Sequence, residues 1–354
     1  MDFFQRQDNA RRRTKWLVVY FALAVISIVL MIYGVAVFAT FYLGLKQSHH
    51  HYVQDTALSL WQPGLFAAVA LGTIAVIFLG SAYKTMALSA GGSAVAESLG
   101  GQLVDSNSSQ PDERKLLNIV EEMSIASGVP MPQVYVLEEP GINAFAAGHS
   151  TSDAAVAVTR TCMEKLSRDE LQGVIAHEFS HILNGDMKLN IRLMGILFGI
   201  FCIATIGRIL LNTRGGSRDK NALPLVGILL LVIGSLGYFF GKLIQAAVSR
   251  QREFLADASA VQFTRNPAGI GGALKKIGGY GSEVSSPEAS DAAHLFFGSV
   301  NTSSFSDIFA THPPIEERIR AIDPNWDGQF ETLPDNRVEK LFERAKPKAS
   351  APAL

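Results

Sequence analysis

Two histidines four residues apart with a glutamate directly after the first, His177, Glu178 and His181, are the residue types that hold and use a divalent metal. On a helix, positions four apart project from one face, so both imidazoles reach a single ion. Glu178, adjacent to the first ligand, points elsewhere and suits a different task. It is placed to take a proton from a water whose pKa zinc lowers toward neutrality. The pattern is only moderately specific by itself, and it needs a third ligand. The two cysteines, Cys162 and Cys202, one of them inside an apolar stretch, offer neither a disulfide framework nor a thiolate site. The remaining ligand must therefore be a histidine or a carboxylate.

The elements that must position these groups are legible around them. Ser167-Arg168-Asp169-Glu170 has the form of a capping box, followed by apolar Leu171, Val174, Ile175, Ile182 and Leu183, so a helix starting at Ser167 carries the motif. Two apolar blocks follow, Leu193 to Leu211 and Pro224 to Ile244, joined by a polar loop with Gly215, Gly216 and Asp219. With both arms read as continuous helices, His181 and Glu253 each lie about 45 Å from the hairpin tip at 1.5 Å per residue. That puts them at one level, beyond a hydrocarbon layer of about 30 Å. Glu253 is thus expected as the third ligand. Asp257, four residues on, is expected to accept a ring N–H from a ligand histidine. The competing reading pairs Glu253 and Asp257 with Arg250 and Arg252 on a solvated helix end.

A hydrophobic fraction of 48% with only 18% charged residues is too apolar for an ordinary soluble enzyme. The apolar residues collect in four blocks, the first two being Trp16 to Leu45 and Gly64 to Tyr83. The first exceeds the apolar core of a cleavable signal and reads as a retained anchor. Arg6, Arg11, Arg12, Arg13 and Lys15 precede it, whereas the loop after it holds Lys46, Asp55 and the run His49, His50, His51. The positive-inside bias then puts the N-terminus, and the domain after the second crossing, in the cytoplasm. Adjacent histidines point in different directions, so the triple run reads as a solvated loop. His149 and His294 read as surface residues. A formal net charge of −1 suggests no polyanion, and nucleic acid is not an expected partner.

The expected organisation is a membrane anchor over 1–84 with two transmembrane helices, a Gly/Ser/Ala-rich linker over 85–110, a peptidase domain over 111–321 containing the hydrophobic hairpin 190–246, and a polar, flexible tail over 322–354. Within the domain, Asp112 to Ser127 predicts an amphipathic helix, and Gln133 to Leu137, Ile142 to Ala147 and Ala154 to Thr159 predict a small sheet.

Four segments in order carry a family resemblance: Ile142-Asn143-Ala144-Phe145-Ala146; His177 to His181 running on to Asn184-Gly185-Asp186; Arg252-Glu253-Phe254-Leu255-Ala256-Asp257; and Thr311-His312-Pro313-Pro314 with Glu317 and Arg318. The chain resembles the HtpX-type membrane-bound zinc peptidases of bacteria, relatives of the type I CaaX prenyl proteases, from about Gly100 to Ala321. The resemblance implies an α+β, gluzincin-like peptidase domain with a small sheet and long helices, fused to about four transmembrane helices. It also implies one Zn2+ per chain held by His177, His181 and Glu253, with Glu178 as the catalytic base and Asp257 behind a ligand. Asn143, Ala144, Phe145 and Ala146 would be an edge pairing with the substrate backbone, and His312 and Arg318 would hold the peptide or the tetrahedral intermediate. The substrates implied are misfolded or damaged membrane proteins, cleaved in a stress response at the bacterial cytoplasmic (inner) membrane by a domain facing the cytoplasm. The first block and loop, and an extra stretch from Gly279 to Ser304 expected as a lid or disordered loop, depart from the family pattern. Three other readings stand beside this one: a peptidase of lipidated protein tails, a transporter, and a catalytically silent chaperone. Arg208 and Lys242 are nearly the only ionisable residues inside the apolar blocks, and both lie near helix ends, which disfavours transport.

Overall fold

The computed structural model describes residues 3–47, 60–87, 91–212, 222–282, 284, 296–298 and 309–332. In chain order these form α1 (Phe3–Gln47), α2 (Pro63–Ala87), α3 (Gly91–Ser98), β1 (Gln102–Leu103), α4 (Pro111–Ser127), β2 (Gln133–Leu137), β3 (Ala144–Ala147), β4 (Ala155–Thr159), α5 (Arg160–Lys165), α6 (Arg168–Asn184), α7 (Asp186–Asn212), α8 (Ala222–Thr264), α9 (Pro267–Tyr280) and α10 (Ile315–Ile322). The chain divides into two compact units, one of residues 12–89 and 189–248, the other of residues 1–11, 90–188 and 249–354.

The first unit is helical. Helices α1, α2, α7 and α8 each contain a stretch long and apolar enough to cross a membrane, with mean hydropathy from 2.0 to 2.7. Ile28, Ile77, Leu197, Ile200 and Ile233 form its interior, while Leu23, Phe78, Leu79, Ile209 and Phe240 stay exposed. So much outward apolar surface suits lipid, where a helix satisfies every backbone group internally. The protein is a multi-pass membrane protein with four candidate spans.

The second unit holds the sheet, in the order β1-β2-β4-β3. Strand β2 runs parallel to β4, and β1 and β3 are antiparallel to their neighbours. Pro111 opens α4 with Asp112 and Glu113 in its first turn, and Gly128 ends it in the left-handed conformation. Helix α6 packs against α4, α9 and β3, burying Leu171, Val174, Ile175, Phe179 and Ile182 in one core with Leu116, Val120, Val156, Val158, Ile270 and Leu274. Gly173 makes the α6–α9 contact possible, because a Cβ there would lie 2.8 Å from Ile270 Cα.

Three expectations need correction. The third apolar block does not continue the motif helix: Gly185 adopts φ 68° and donates its N–H to His181 O and Ile182 O, so α6 stops there and α7 begins afresh at Asp186. Helix α8, by contrast, runs unbroken through Glu253. The stretch 85–110, expected as a linker, contains α3 and β1, and β1 pairs with β2 through Gln102 and Leu103. Nor does the folded part end at Ala321. Trp326 is buried in the main core and Phe330 packs against it, an anchor that the polar residues around them conceal. His49 to His51, the loop from 213 to 221, His294 and residues 333–354 lie outside the described residues.

Candidate metal centre

Helix α6 is fixed at its start by the capping box. Ser167 Oγ accepts from Glu170 N–H, and the Glu170 carboxylate accepts from Ser167 N–H. Three turns later the helix delivers two imidazoles to one spot, with His177 Nε2 3.0 Å from His181 Nε2. Glu253 of α8 completes the cluster: its Oε1 lies 3.3 Å from His181 Nε2 and its Oε2 3.6 Å from His177 Nε2. Among the described residues this trio is the group whose ligand atoms could hold one ion.

The carboxylates behind the histidines decide what the ring nitrogens can do. His177 Nδ1 lies 2.9 Å from Asp257 Oδ1, and His181 Nδ1 lies 2.8 Å from Asp186 Oδ2. A carboxylate only accepts, so each Nδ1 carries the proton and each Nε2 presents a lone pair. With both Nε2 atoms deprotonated, two lone pairs and two carboxylate oxygens converge. Acceptors in this arrangement repel unless a cation sits among them. Ligand atoms about 2.0–2.1 Å from a tetrahedral zinc lie about 3.3 Å apart, which matches this spacing. The charges agree, since Glu178, Asp186, Glu253 and Asp257 are buried against Arg318 and Arg252, an excess of two negative charges that a divalent ion neutralises. In the absence of an ion, burial works to lower the His177 and His181 imidazoles, but their hydrogen bonds to Asp257, Asp186 and Glu253 outweigh it and hold both above the usual histidine value.

Glu178 is 1% exposed and neither of its carboxylate oxygens has a hydrogen-bond partner among the described residues. Burial pushes its carboxyl above the usual range. A buried carboxylate without partners is costly unless water or substrate meets it. His312 Nδ1 lies 3.0 Å from Glu253 Oε2, without hydrogen-bond geometry at either ring nitrogen. Arg318, 2% exposed, is fully engaged: Nε donates to Asp257 Oδ2 at 2.9 Å, Nη2 to Asp257 Oδ1 at 2.7 Å, and Nη1 to Phe297 O at 3.1 Å, with Glu253 Oε2 3.2 Å away. The guanidinium therefore clamps the two carboxylates of α8. Strand β3 is the edge strand of the sheet, and all four residues Asn143 to Ala146 are buried.

The relatives agree with the geometry. The profile described as "Peptidase family M48" matches residues 110–325. The chain belongs to peptidase family M48. A "Protease HtpX homolog" of Dictyoglomus turgidum is 40% identical over 210 residues, 58% of this chain and 68% of that protein. Another from Streptococcus pyogenes serotype M28 is 36% identical over 264 residues, 72% of this chain and 86% of that protein. The crystal structure of S. mikatae Ste24p aligns with a TM-score of 0.48 and 17% identity, covering 71% of this chain and 58% of that one. This M48 member is a membrane-associated zinc metallopeptidase, an HtpX homolog, with a His-His-Glu metal site.

Two groups at the M48 centre escape a reading by spacing. Asp186 is one, and Arg252, paired with it at 2.5 Å and donating to Asn184 O, is the other. The available signal is the helix stop at Gly185, which turns the chain so that Asp186 comes back under His181. Asp186→Asn keeps the shape of the side chain but removes the charge behind His181. Zinc affinity, measured by competition with a chromogenic chelator, is expected to fall between about 10- and 100-fold, and unchanged affinity would remove Asp186 from the centre.

Proposed function

We propose that this chain is an endopeptidase that cleaves misfolded or damaged membrane proteins, with one zinc per chain held by His177, His181 and Glu253. The observation that carries the reading is the convergence of three acceptors beside a buried, unpartnered Glu178. Bound zinc supplies Lewis acidity toward the scissile carbonyl and lowers the pKa of water. Glu178 takes the proton of the attacking water and returns it to the leaving amine. Asp257 and Asp186 keep the two imidazoles in the Nδ1–H tautomer, and Arg318 holds Asp257 and Glu253 in place. His312, with ring nitrogens free of hydrogen bonds, is suited to donate to the developing oxyanion. The strand from Asn143 to Ala146 supports an extended peptide by backbone pairing. Purified enzyme is expected to degrade an unfolded membrane protein, to stop on chelation, and to resume on zinc addition. No cleavage by the zinc-loaded enzyme would overturn the reading.

The peptidase domain faces the cytoplasm of a bacterial inner membrane in this reading. Support comes from Arg6, Arg11, Arg12, Arg13 and Lys15 ahead of the first span, against the weakly charged loop after it. A single crossing by the third span puts the 212–223 loop outside, and the fourth span returns the chain, although Arg214, Arg218 and Lys220 oppose this. Ser217→Cys is expected to react with an impermeant thiol reagent from the periplasmic side in a Cys202→Ser background. Labelling only after the membrane is broken would mean that the third and fourth spans do not both cross.

A further inference from the structure

A strand at the end of a sheet leaves alternate N–H and C=O groups unpaired, a template for an added extended chain. In β3 that template meets residues of the same chain. Phe296 pairs antiparallel with Phe145, Phe297 N–H donates to Ala144 O at 2.8 Å, and Gly298 N–H donates to Asn143 Oδ1 at 3.0 Å. The same short segment reaches the metal centre. The Phe297 ring stands edge-on to the His177 ring, centroids 4.7 Å apart at 82°, and lies under the Arg318 guanidinium at 4.5 Å. Its carbonyl accepts from Arg318 Nη1. Phe296 packs at 5.1 Å against the Phe145 ring. Backbone pairing along β3, together with a ring against the ligand His177, is an arrangement an extended peptide would take beside the centre.

We propose that Phe296, Phe297 and Gly298 are a built-in occupant of the substrate track, an internal strand that blocks Asn143 to Ala146 and must leave before a polypeptide pairs there. The proposal rests on the peptidase reading and adds a mode of regulation to it. Among the described residues the segment holds the edge of β3 through one backbone bond, two bonds with the Asn143 side chain and two buried rings, all of which an incoming chain would have to replace. It also indicates preference: the residue facing His177 is held by a ring-to-ring contact and a cation–π contact, so a large apolar or aromatic side chain is favoured at that position of a substrate. Atoms of the occupant are not consumed, since no bond of the chain is made or broken when it leaves.

Phe145 and Phe296 form the pair next to the bonded Ala144–Phe297 pair, a place where opposed Cβ atoms lie close enough for a disulfide. Phe145→Cys with Phe296→Cys therefore gives a strand that oxidation locks and reduction frees. The first readout is binding of a fluorescein-labelled peptide copying residues 293–300, followed by anisotropy in a zinc-loaded Glu178→Gln background. If the freed edge is open more than ten times as often as the locked one, the reduced form binds at least about tenfold more tightly, at equal zinc content. Equal affinity in the two states would overturn the proposal. As a second variant, Phe296→Ala, which leaves the contacts of Phe297 with His177 and Arg318 in place, is expected to lower KM for unfolded casein about threefold with kcat retained, again as the competent fraction rises. A raised KM with lost zinc would instead make the segment a fixed support, and would also overturn it. Should the zinc-loaded wild type neither bind nor cleave any peptide, the peptidase reading fails and takes this proposal with it. Cleavage by the wild type with binding insensitive to the disulfide refutes only the internal strand.

Discussion

Glu178→Gln is expected to keep wild-type zinc content and thermal stability while turnover falls at least about a hundredfold, the usual scale for losing a positioned general base. The substitution preserves side-chain volume in a site with 1% exposure and leaves His177, His181 and Glu253 untouched. It removes the capacity to take a proton at neutral pH. Neither carboxylate oxygen has a hydrogen-bond partner among the described residues, so no structural bond is broken and folding has little reason to change. Substrate should then bind and stay. The variant should co-purify with membrane-protein fragments that the active enzyme degrades. Turnover measured with zinc quantified in the same sample decides the matter. Full activity in Glu178→Gln would move the base elsewhere, and client binding without cleavage by either form would favour a silent chaperone.

The second large effect is expected at Glu253, where alanine should abolish tight zinc binding and with it all peptidase activity. Glu253 is 4% exposed and stands against both Nε2 atoms. Its loss leaves two neutral imidazoles and too little negative charge to hold a divalent ion out of water. The removal also takes from Arg318 one of its two carboxylates, Glu253 Oε2 at 3.2 Å, leaving Asp257 and Phe297 O as its partners, so some folding stability is lost as well. Two thermal measurements separate these effects. In the wild type, free zinc at a thousand times its Kd stabilises by about 4 kcal/mol, roughly 10 °C for a unit of this size. Glu253→Ala should start lower and show no zinc-dependent rise. Stoichiometric zinc retained in the variant would place the third ligand on another residue. Chelating the wild type should reproduce the missing increment without the lower baseline.

How much was readable in advance follows from the range of each interaction. The capping box at Ser167 and Glu170 and the four-residue spacing of His177 and His181 lie within a single helix, so local geometry determines them wherever that helix packs. The four apolar stretches are equally local, because bilayer thickness sets their length. Glu253 was reachable by counting along two helical arms. The count used a continuous helix through residue 185, where Gly185 in fact ends α6, yet the ligand still belongs to the trio because α8 runs unbroken past it.

Tertiary structure alone decided the rest. Asp257 is expected from its spacing behind a ligand histidine, but that this is His177, 80 positions away, and that Arg318 meets Asp257 across 61, only the tertiary structure decides, since no periodicity reports which carboxylate a buried guanidinium will select. The resemblance implies for Arg318 a role toward substrate, and only the tertiary structure pairs it with two acids of α8, because burial demands a countercharge. The edge of β3 shows the same limit most clearly. The family resemblance implies for Asn143 to Ala146 a strand with an edge to offer. That the chain itself covers this side with Phe296 and Phe297 depends on where a distant segment returns, which folding rather than local sequence sets.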